Sequence, residues 1–105
     1  MAWVLLLAAG VVEIIMAMAL KAAQGWTRPL PGAIGVAAAL LSIYLLTRAL
    51  QVLPAGTAYA VWTGIGALGV TVLGIVLHGD SASLPRLGCI ALIAAGIAGL
   101  RVLEG

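Results

Sequence analysis

Four apolar segments, each about as long as a bilayer is thick, constrain this chain more than any other feature of its sequence. A hydrocarbon core about 30 Å thick requires about 20 helical residues to cross it. The segments span residues 2–20, 32–50, 56–77 and 86–103. All four prolines lie between these segments or near their starts, where a missing N–H does no harm. The sequence therefore predicts an all-α membrane protein with a single four-helix transmembrane domain, residues 1–105.

The composition excludes several classes of protein. Hydrophobic residues make up 65% of the chain and charged residues 8%, which leaves too little polar surface for a water-soluble fold. The five Lys and Arg residues are scattered singly, so no nucleic-acid partner is expected. The lone cysteine, Cys89, rules out an internal disulfide, and we expect neither a metal nor a cofactor. No basic residues precede the first segment, so we expect a retained span rather than a cleaved signal peptide.

One acidic residue, Glu13, interrupts the first segment near its middle. An ionised side chain at the centre of a membrane helix costs about 2.5–3.5 kcal/mol on insertion scales, so it indicates a functional site. Helical spacing places Ala9, Gly10, Met16 and Ala17 on the same face as the carboxylate. These mostly small residues let another helix approach closely while leaving room around Glu13. The alternative is a protonated glutamate that merely joins helices.

Two aromatic residues and one hydroxyl are further candidates for the site. Tyr59 and Trp62 share a face of the third segment, and Trp62 lies about two turns inside it. Its indole donor and aromatic face could meet a cation or an acid, or it could simply pack, whereas Trp3 fits the usual interfacial role. Ser42 lies deep in the second segment. It either bonds back to the carbonyl one turn earlier or donates to Glu13.

Glycines indicate two further features. Gly64 and Gly66 weaken the middle of the third helix, which favours either a bend between two states or simple close packing. Small residues at helical spacing give the fourth segment a flat surface, which comprises Gly88, Ala91, Leu92, Ala95, Gly96 and Gly99. Because this segment has no charged group between Arg86 at its start and Arg101, we interpret the surface as a contact between chains.

The loop charges do not select an orientation in the membrane. One side of the membrane would carry Lys21, Arg28 and Arg86, and the other Arg48 and Arg101. An excess of Lys and Arg normally marks the cytoplasmic side. A difference of three basic residues against two is too small to decide which side is cytoplasmic. We therefore predict that the chain inserts in both orientations.

Taken together, these features resemble the small multidrug resistance family along essentially the whole chain. The matching elements are four short spans, the single membrane acid Glu13, the connection Gly-Trp-Thr-Arg at 25–28, and the run Pro-Ala-Gly-Thr-Ala-Tyr-Ala-Val-Trp-Thr-Gly-Ile-Gly-Ala at 54–67. The sequence motif Trp-Thr-Gly-Ile-Gly-Ala, together with Ser42, resembles the guanidinium exporter subtype. It is less similar to the subtype that exports quaternary ammonium and polyaromatic cations.

The resemblance implies an antiparallel homodimer of dual topology in the bacterial inner membrane. Such a dimer exchanges protons for a small guanidinium-like cation by alternating access. Both copies of Glu13 would face one central site, and the resemblance adds to that site Ser42, Tyr59 and Trp62. It further implies a hinge in the third helix at Gly64 and Gly66, and a dimer contact on the fourth helix that includes Gly88, Ala95, Gly96 and Gly99.

Met16 departs from the subtype, which usually carries a tryptophan one turn after the glutamate. A flexible thioether in place of an indole favours a wider, softer pocket. Two alternatives therefore stay open, a broader multidrug exporter and one subunit of a heterodimeric transporter. A regulatory membrane subunit and a simple proton conductor are further alternatives. We do not expect an enzyme, because the sequence contains no nucleophile with a base and no phosphate-binding glycine loop.

Overall fold

A computed structural model describes residues 2–104 of the chain, and the side chains of residues 2–103. It contains four helices, α1 to α4, which span in chain order Ala2–Ala22, Pro29–Leu50, Ala55–His78 and Leu84–Glu104. Each helix is long enough and apolar enough to cross a bilayer. The prediction of an all-α protein with four helices that are long and apolar enough to span a membrane is thereby confirmed.

The helices extend slightly beyond their predicted ends. α2 begins at Pro29 rather than at residue 32, because the first turn of a helix has no intrahelical N–H bonds for proline to break. For the same reason α4 begins at Leu84, with Pro85 in its first turn, and it ends one residue late. α1 continues two residues further than predicted, to Ala22. α3 gains one residue at each end and stops where Gly79 takes a left-handed backbone with φ 68°.

The connection between α1 and α2 has an unusual backbone. Gln24, Gly25 and Trp26 have φ values of 49°, 67° and 73°, a left-handed region that residues with a side chain rarely adopt. This turn lays the indole of Trp26 against the start of α2. A Cβ on Gly32 would lie only 3.3 Å from Cε3 of that ring. The loop therefore depends on the small size of residue 32 as well as on its own backbone.

α1 packs against both α2 and α3, and α2 also contacts α3. We call the side of the membrane where α1 begins and α4 ends the terminal side. On that side the first halves of α1 and α3 meet the second half of α2, and the buried apolar side chains there are Leu6, Ala9, Leu46, Ala49, Ala58 and Val61. This core lies next to Glu13 in depth, and it fixes how each of the three helices is rotated about its axis.

α4 is attached much more loosely than the other helices. In the described part of the chain its backbone approaches α3 alone, and no residue of Leu84–Leu103 is buried. The Cα atoms of the molecule span 42 × 35 × 16 Å. The shortest dimension corresponds to about two packed helices, since helix axes lie about 8–10 Å apart. A single chain is therefore too thin to enclose a pathway, and one long side of α4 is uncovered.

Candidate functional site

The carboxyl group of Glu13 packs against Gly66 at the middle of the membrane. Glu13 and Gly66 each lie 11 residues after the first residue of their helices, α1 and α3. These two helices cross the bilayer in the same direction, which places the two residues at the same depth. A Cβ on Gly66 would lie 2.6 Å from Oε2 of Glu13. The carboxyl group thus occupies the space that any other residue at position 66 would fill with its side chain.

Oε2 of Glu13 is buried and accepts no hydrogen bond from the part of the chain that the structure describes. A buried oxygen without a donor is costly, and a buried charge without a partner is more so. The basic residues of the chain all lie in loops or near helix ends, namely Lys21, Arg28, Arg48, Arg86 and Arg101. In the described part of the chain no basic side chain reaches this carboxyl group, so it is available to a proton or to a cation that comes from elsewhere.

A series of hydrogen bonds joins the three inner helices beside Glu13. Nε1 of Trp62 donates to Oγ of Ser42 over 2.9 Å, and the Ser42 hydroxyl donates to the carbonyl oxygen of Ala9 over 2.7 Å. In α-helical geometry the Ala9 carbonyl also accepts the backbone N–H of Glu13, four residues later. Ser42 is only 1% exposed. The series therefore positions the helical turn that carries Glu13.

This arrangement corrects both hypotheses for the Ser42 hydrogen bond. A serine hydroxyl has a single proton, and here it is donated to Ala9, so it is not available to Glu13. The acceptor also belongs to α1, not to the preceding turn of α2. The physical reason is the short side chain of the fully buried Ala9, which leaves the α1 backbone accessible to α2. The indole N–H of Trp62 is similarly donated to Ser42 and not to an acid.

Tyr59 and Trp62 form an aromatic pair on α3. Their ring centroids are 5.5 Å apart and their planes are tilted by 55°, within the favourable range for aromatic contacts. Tyr59 is 59% exposed, whereas Trp62 is partly buried. The ring faces are the groups through which Trp62 can interact with a cation, because the indole N–H is a donor and does not attract positive charge. Met16 is partly buried on α1, one turn after Glu13.

The two glycines predicted to form a hinge face different neighbours. A Cβ on Gly64 would lie 2.9 Å from Cδ1 of Ile97 in α4, whereas Gly66 faces Glu13 in α1. Between them they let α3 approach helices on two sides. α3 is helical throughout Ala55–His78. Close packing accounts for both glycines in this conformation, and their role as a hinge stays a prediction.

The small-residue surface predicted for dimer contact lies uncovered on α4. A Cβ built on any of its glycines would meet nothing within 4 Å. The residues named for that contact are all exposed in the single chain, namely Gly88, Ala95, Gly96 and Gly99. Self-association through this surface stays a prediction.

Two contacts of the site were not among the predictions. Gly66 was interpreted as part of a hinge and not as the direct neighbour of Glu13, although their equal depth in parallel helices is visible in the sequence. The carbonyl of Ala9 carries no such signal, because every residue has a backbone acceptor. Only the rotation of α1 against α2 decides which carbonyl Ser42 meets.

The coupling between Ser42 and Trp62 can be measured. We expect Ser42→Ala and Trp62→Phe each to lower the free energy of unfolding. The double variant should lose less stability than the sum of the two single losses, and the difference is a coupling free energy of about 0.6–1.7 kcal/mol. Each single change breaks the same hydrogen bond, so the second change has less left to remove. Reversible unfolding in mixed detergent micelles measures these values.

Thr71 supplies a matched control for the loss of a hydroxyl group. It lies on the same helix as Trp62, and its hydroxyl donates to the carbonyl of Ala67 within α3. The losses of unfolding free energy caused by Thr71→Val and Trp62→Phe should be additive in the double variant. Strict additivity of Ser42→Ala with Trp62→Phe would contradict the described hydrogen bond.

The fold and the site together define a multi-pass membrane protein built around one central carboxyl group, whose buried Oε2 accepts no hydrogen bond from the described residues. Residues 1–93 match the family described as Small Multidrug Resistance protein, and the chain belongs to that family. The family resemblance inferred from the sequence is confirmed.

Several relatives are similar over nearly their whole length. The chain is 53% identical over 102 residues to the Guanidinium exporter of Yersinia pseudotuberculosis, covering 97% of this chain and 98% of that protein. It is 51% identical to the Guanidinium exporter of Salmonella typhimurium, covering 97% of each. The protein of the same name from Proteus vulgaris is 46% identical, with 97% and 98% covered. These relatives are named as exporters, which agrees with the prediction that the chain is not an enzyme.

Proposed function

We propose that this protein exports guanidinium and small guanidinyl cations in exchange for protons. The observation that carries the proposal is the buried Oε2 of Glu13, which lies at the bilayer centre and receives no hydrogen bond from the described residues. The guanidinium exporter names of relatives that are 46–53% identical support the choice of substrate. The exchange takes place by alternating access around two Glu13 carboxyl groups, one from each copy of an antiparallel dimer.

The chemistry of guanidinium suits the groups around Glu13. Guanidinium is planar and presents parallel N–H donors that a carboxylate can accept in pairs. The faces of Tyr59 and Trp62 can attract the cation electrostatically. The Ser42 hydrogen bonds hold the turn that carries Glu13, so Ser42 acts on the site by positioning. A proton and a guanidinium ion compete for the same carboxyl group, and this competition couples their transport in opposite directions.

Two copies are needed because one chain cannot surround a substrate. The 16 Å thickness of the chain and the uncovered small-residue surface of α4 support assembly into a dimer. The near-equal loop charges support insertion in both orientations, and hence an antiparallel pair. In this proposal Gly64 and Gly66 let α3 bend as the site changes sides. We assign the protein to the bacterial inner membrane, across which a proton gradient is available to drive export.

A broader multidrug exporter is the second candidate function. Met16 favours it, because this flexible side chain lies one turn from Glu13 and is partly buried. A soft wall of this kind adapts to bulky cations, whereas a rigid indole would restrict them.

A panel of substrates on reconstituted protein distinguishes the two candidates. Proteoliposomes with an imposed pH gradient are offered guanidinium, methylguanidinium or tetraphenylphosphonium. We expect guanidinium and methylguanidinium to be transported at least about tenfold more efficiently than tetraphenylphosphonium, since they alone form paired hydrogen bonds with a carboxylate. Equal transport of all three would favour the multidrug exporter. Transport of none would favour a heterodimer subunit or a regulatory subunit, and acidification without any cation would indicate a proton conductor.

A further inference from the structure

A groove separate from the Glu13 site lies between α1, α3 and α4. It has a volume of about 410 Å³, and its lining includes Trp3, Leu7, Leu68, Ala94, Ala98 and Arg101. The groove exists because α4 packs on α3 without approaching the α1 backbone. It opens toward the surrounding membrane, whose acyl chains are as apolar as its walls.

One end of the groove carries a positive charge held in place. Cζ of Arg101 lies 5.1 Å from the centroid of the Trp3 ring, a cation–π contact. Trp3 is in the first turn of α1 and Arg101 in the last turn of α4, so both lie at the terminal side of the membrane. Among acids whose side chains are described, Glu13 lies at mid-membrane and Asp80 at the opposite surface. Neither can neutralise Arg101.

The dimensions of the groove match part of one lipid leaflet. From Arg101 to Ala94 it follows seven residues of α4, or about 10 Å at 1.5 Å per residue. One leaflet of the hydrocarbon core is about 15 Å deep, half of the whole. A cation at the interface above an apolar groove of this depth fits a molecule with an anionic head and an apolar chain. We infer that the groove binds an anionic phospholipid, with its phosphate on Arg101 and one acyl chain between α1 and α4.

Charge favours a lipid over a second copy of this protein in the groove. A second α4 packed here antiparallel, as in the proposed dimer, would bring Arg86 to the same depth, where it would repel the arginine already present. A phosphate has the complementary charge, and the guanidinium presents several N–H donors to it. By helical rotation, Arg101 points away from the glycines of the surface proposed for dimer contact, whereas Ala98 borders that surface next to Ala91 and Ala95.

Native mass spectrometry of the folded, detergent-purified protein tests this inference. Phosphatidylglycerol and phosphatidylcholine with identical acyl chains are added at equal concentration, and the bound lipid is counted. We expect the unaltered protein to retain phosphatidylglycerol at least about tenfold more strongly, and Arg101→Gln to lose this preference. Arg48→Gln is the matched control, because Arg48 is exposed on the terminal side but does not line the groove. It should keep the preference.

Ala98→Leu tests the acyl chain separately from the charge. The larger side chain fills the groove and should lower retention of phosphatidylglycerol while Arg101 is intact. Ala94→Val serves the same purpose if Ala98→Leu does not fold. Equal effects of Arg101→Gln and Arg48→Gln, or full retention in both groove-filling variants, would overturn the inference. A change in oligomeric state without loss of lipid would assign the groove to a second copy. None of these outcomes depends on transport activity.

Discussion

Glu13→Gln is expected to abolish proton-driven guanidinium uptake into proteoliposomes. The amide is nearly the same size as the carboxyl group, but it neither releases a proton nor carries the charge that pairs with guanidinium. Removing one member of a buried charge pair costs about 2 kcal/mol or more, which corresponds to at least about 30-fold weaker binding. Uptake of labelled guanidinium under an imposed pH gradient, with binding measured by calorimetry, gives both quantities.

The pH dependence of binding provides an internal check on the role of Glu13. In the unaltered protein, guanidinium binding should weaken as the pH falls, because protons occupy the carboxyl group, and binding should release protons. Residual binding by Glu13→Gln should not change with pH. Asp80→Asn is the matched control, since it removes an exposed carboxyl group outside the membrane helices and should leave uptake intact. Coupled uptake that persists in Glu13→Gln would refute the mechanism.

Gly66→Ala is expected to weaken guanidinium binding by about tenfold or more while leaving the protein folded. The new Cβ would lie 2.6 Å from Oε2 of Glu13, so the carboxyl group has to move. Because the carboxyl group is the end of a flexible side chain, this movement is cheap for the fold. It is expensive for recognition, since a displacement of about 1 Å at a site can reduce its efficiency by orders of magnitude.

Gly56→Ala separates this steric effect from the change in helix propensity. Gly56 lies on the same helix, and a Cβ there would meet nothing within 4 Å. Both substitutions replace a glycine of α3 by a residue of higher helix propensity, but only Gly66→Ala places a Cβ against Glu13, so guanidinium titration by calorimetry should show weaker binding in Gly66→Ala alone. If the two variants bind equally well, the carboxyl group does not rest where the structure has it.

Depth in the membrane was predictable from this sequence, whereas the rotation of each helix was not. Glu13, Gly66 and Trp62 could be placed by counting residues from the ends of apolar segments. The donor series from Trp62 through Ser42 to Ala9 depends on how α1, α2 and α3 turn about their axes. With apolar residues on every side of each helix, hydrophobic periodicity contains little information on that rotation. Packing of small residues such as Ala9 decides it.

The ends of the helices are a second feature that the sequence predicts only in part. Pro29 and Pro85 were assigned to connections or to helix starts, and the structure includes both within the first turns of α2 and α4. Proline is compatible with either place, so the residue alone does not fix the boundary. The exposed α4 surface was identified from its glycines, but the groove that borders it was not. That groove depends on the gap between α1 and α4, which is a property of the packed molecule.

Because α4 is loosely attached, its outer surface and the groups around Glu13 can change independently of each other, whereas in a compact protein such changes are usually linked. The groups around Glu13 come from α1, α2 and α3, and the described residues of α4 contribute none of them. In the dimer proposed above, substitutions on the outer surface of α4 can therefore alter which chain it pairs with, or which membrane composition it tolerates, without disturbing the carboxyl group. Over evolutionary time, a gene duplicate of such a chain can acquire a new partner while its chemistry is inherited unchanged.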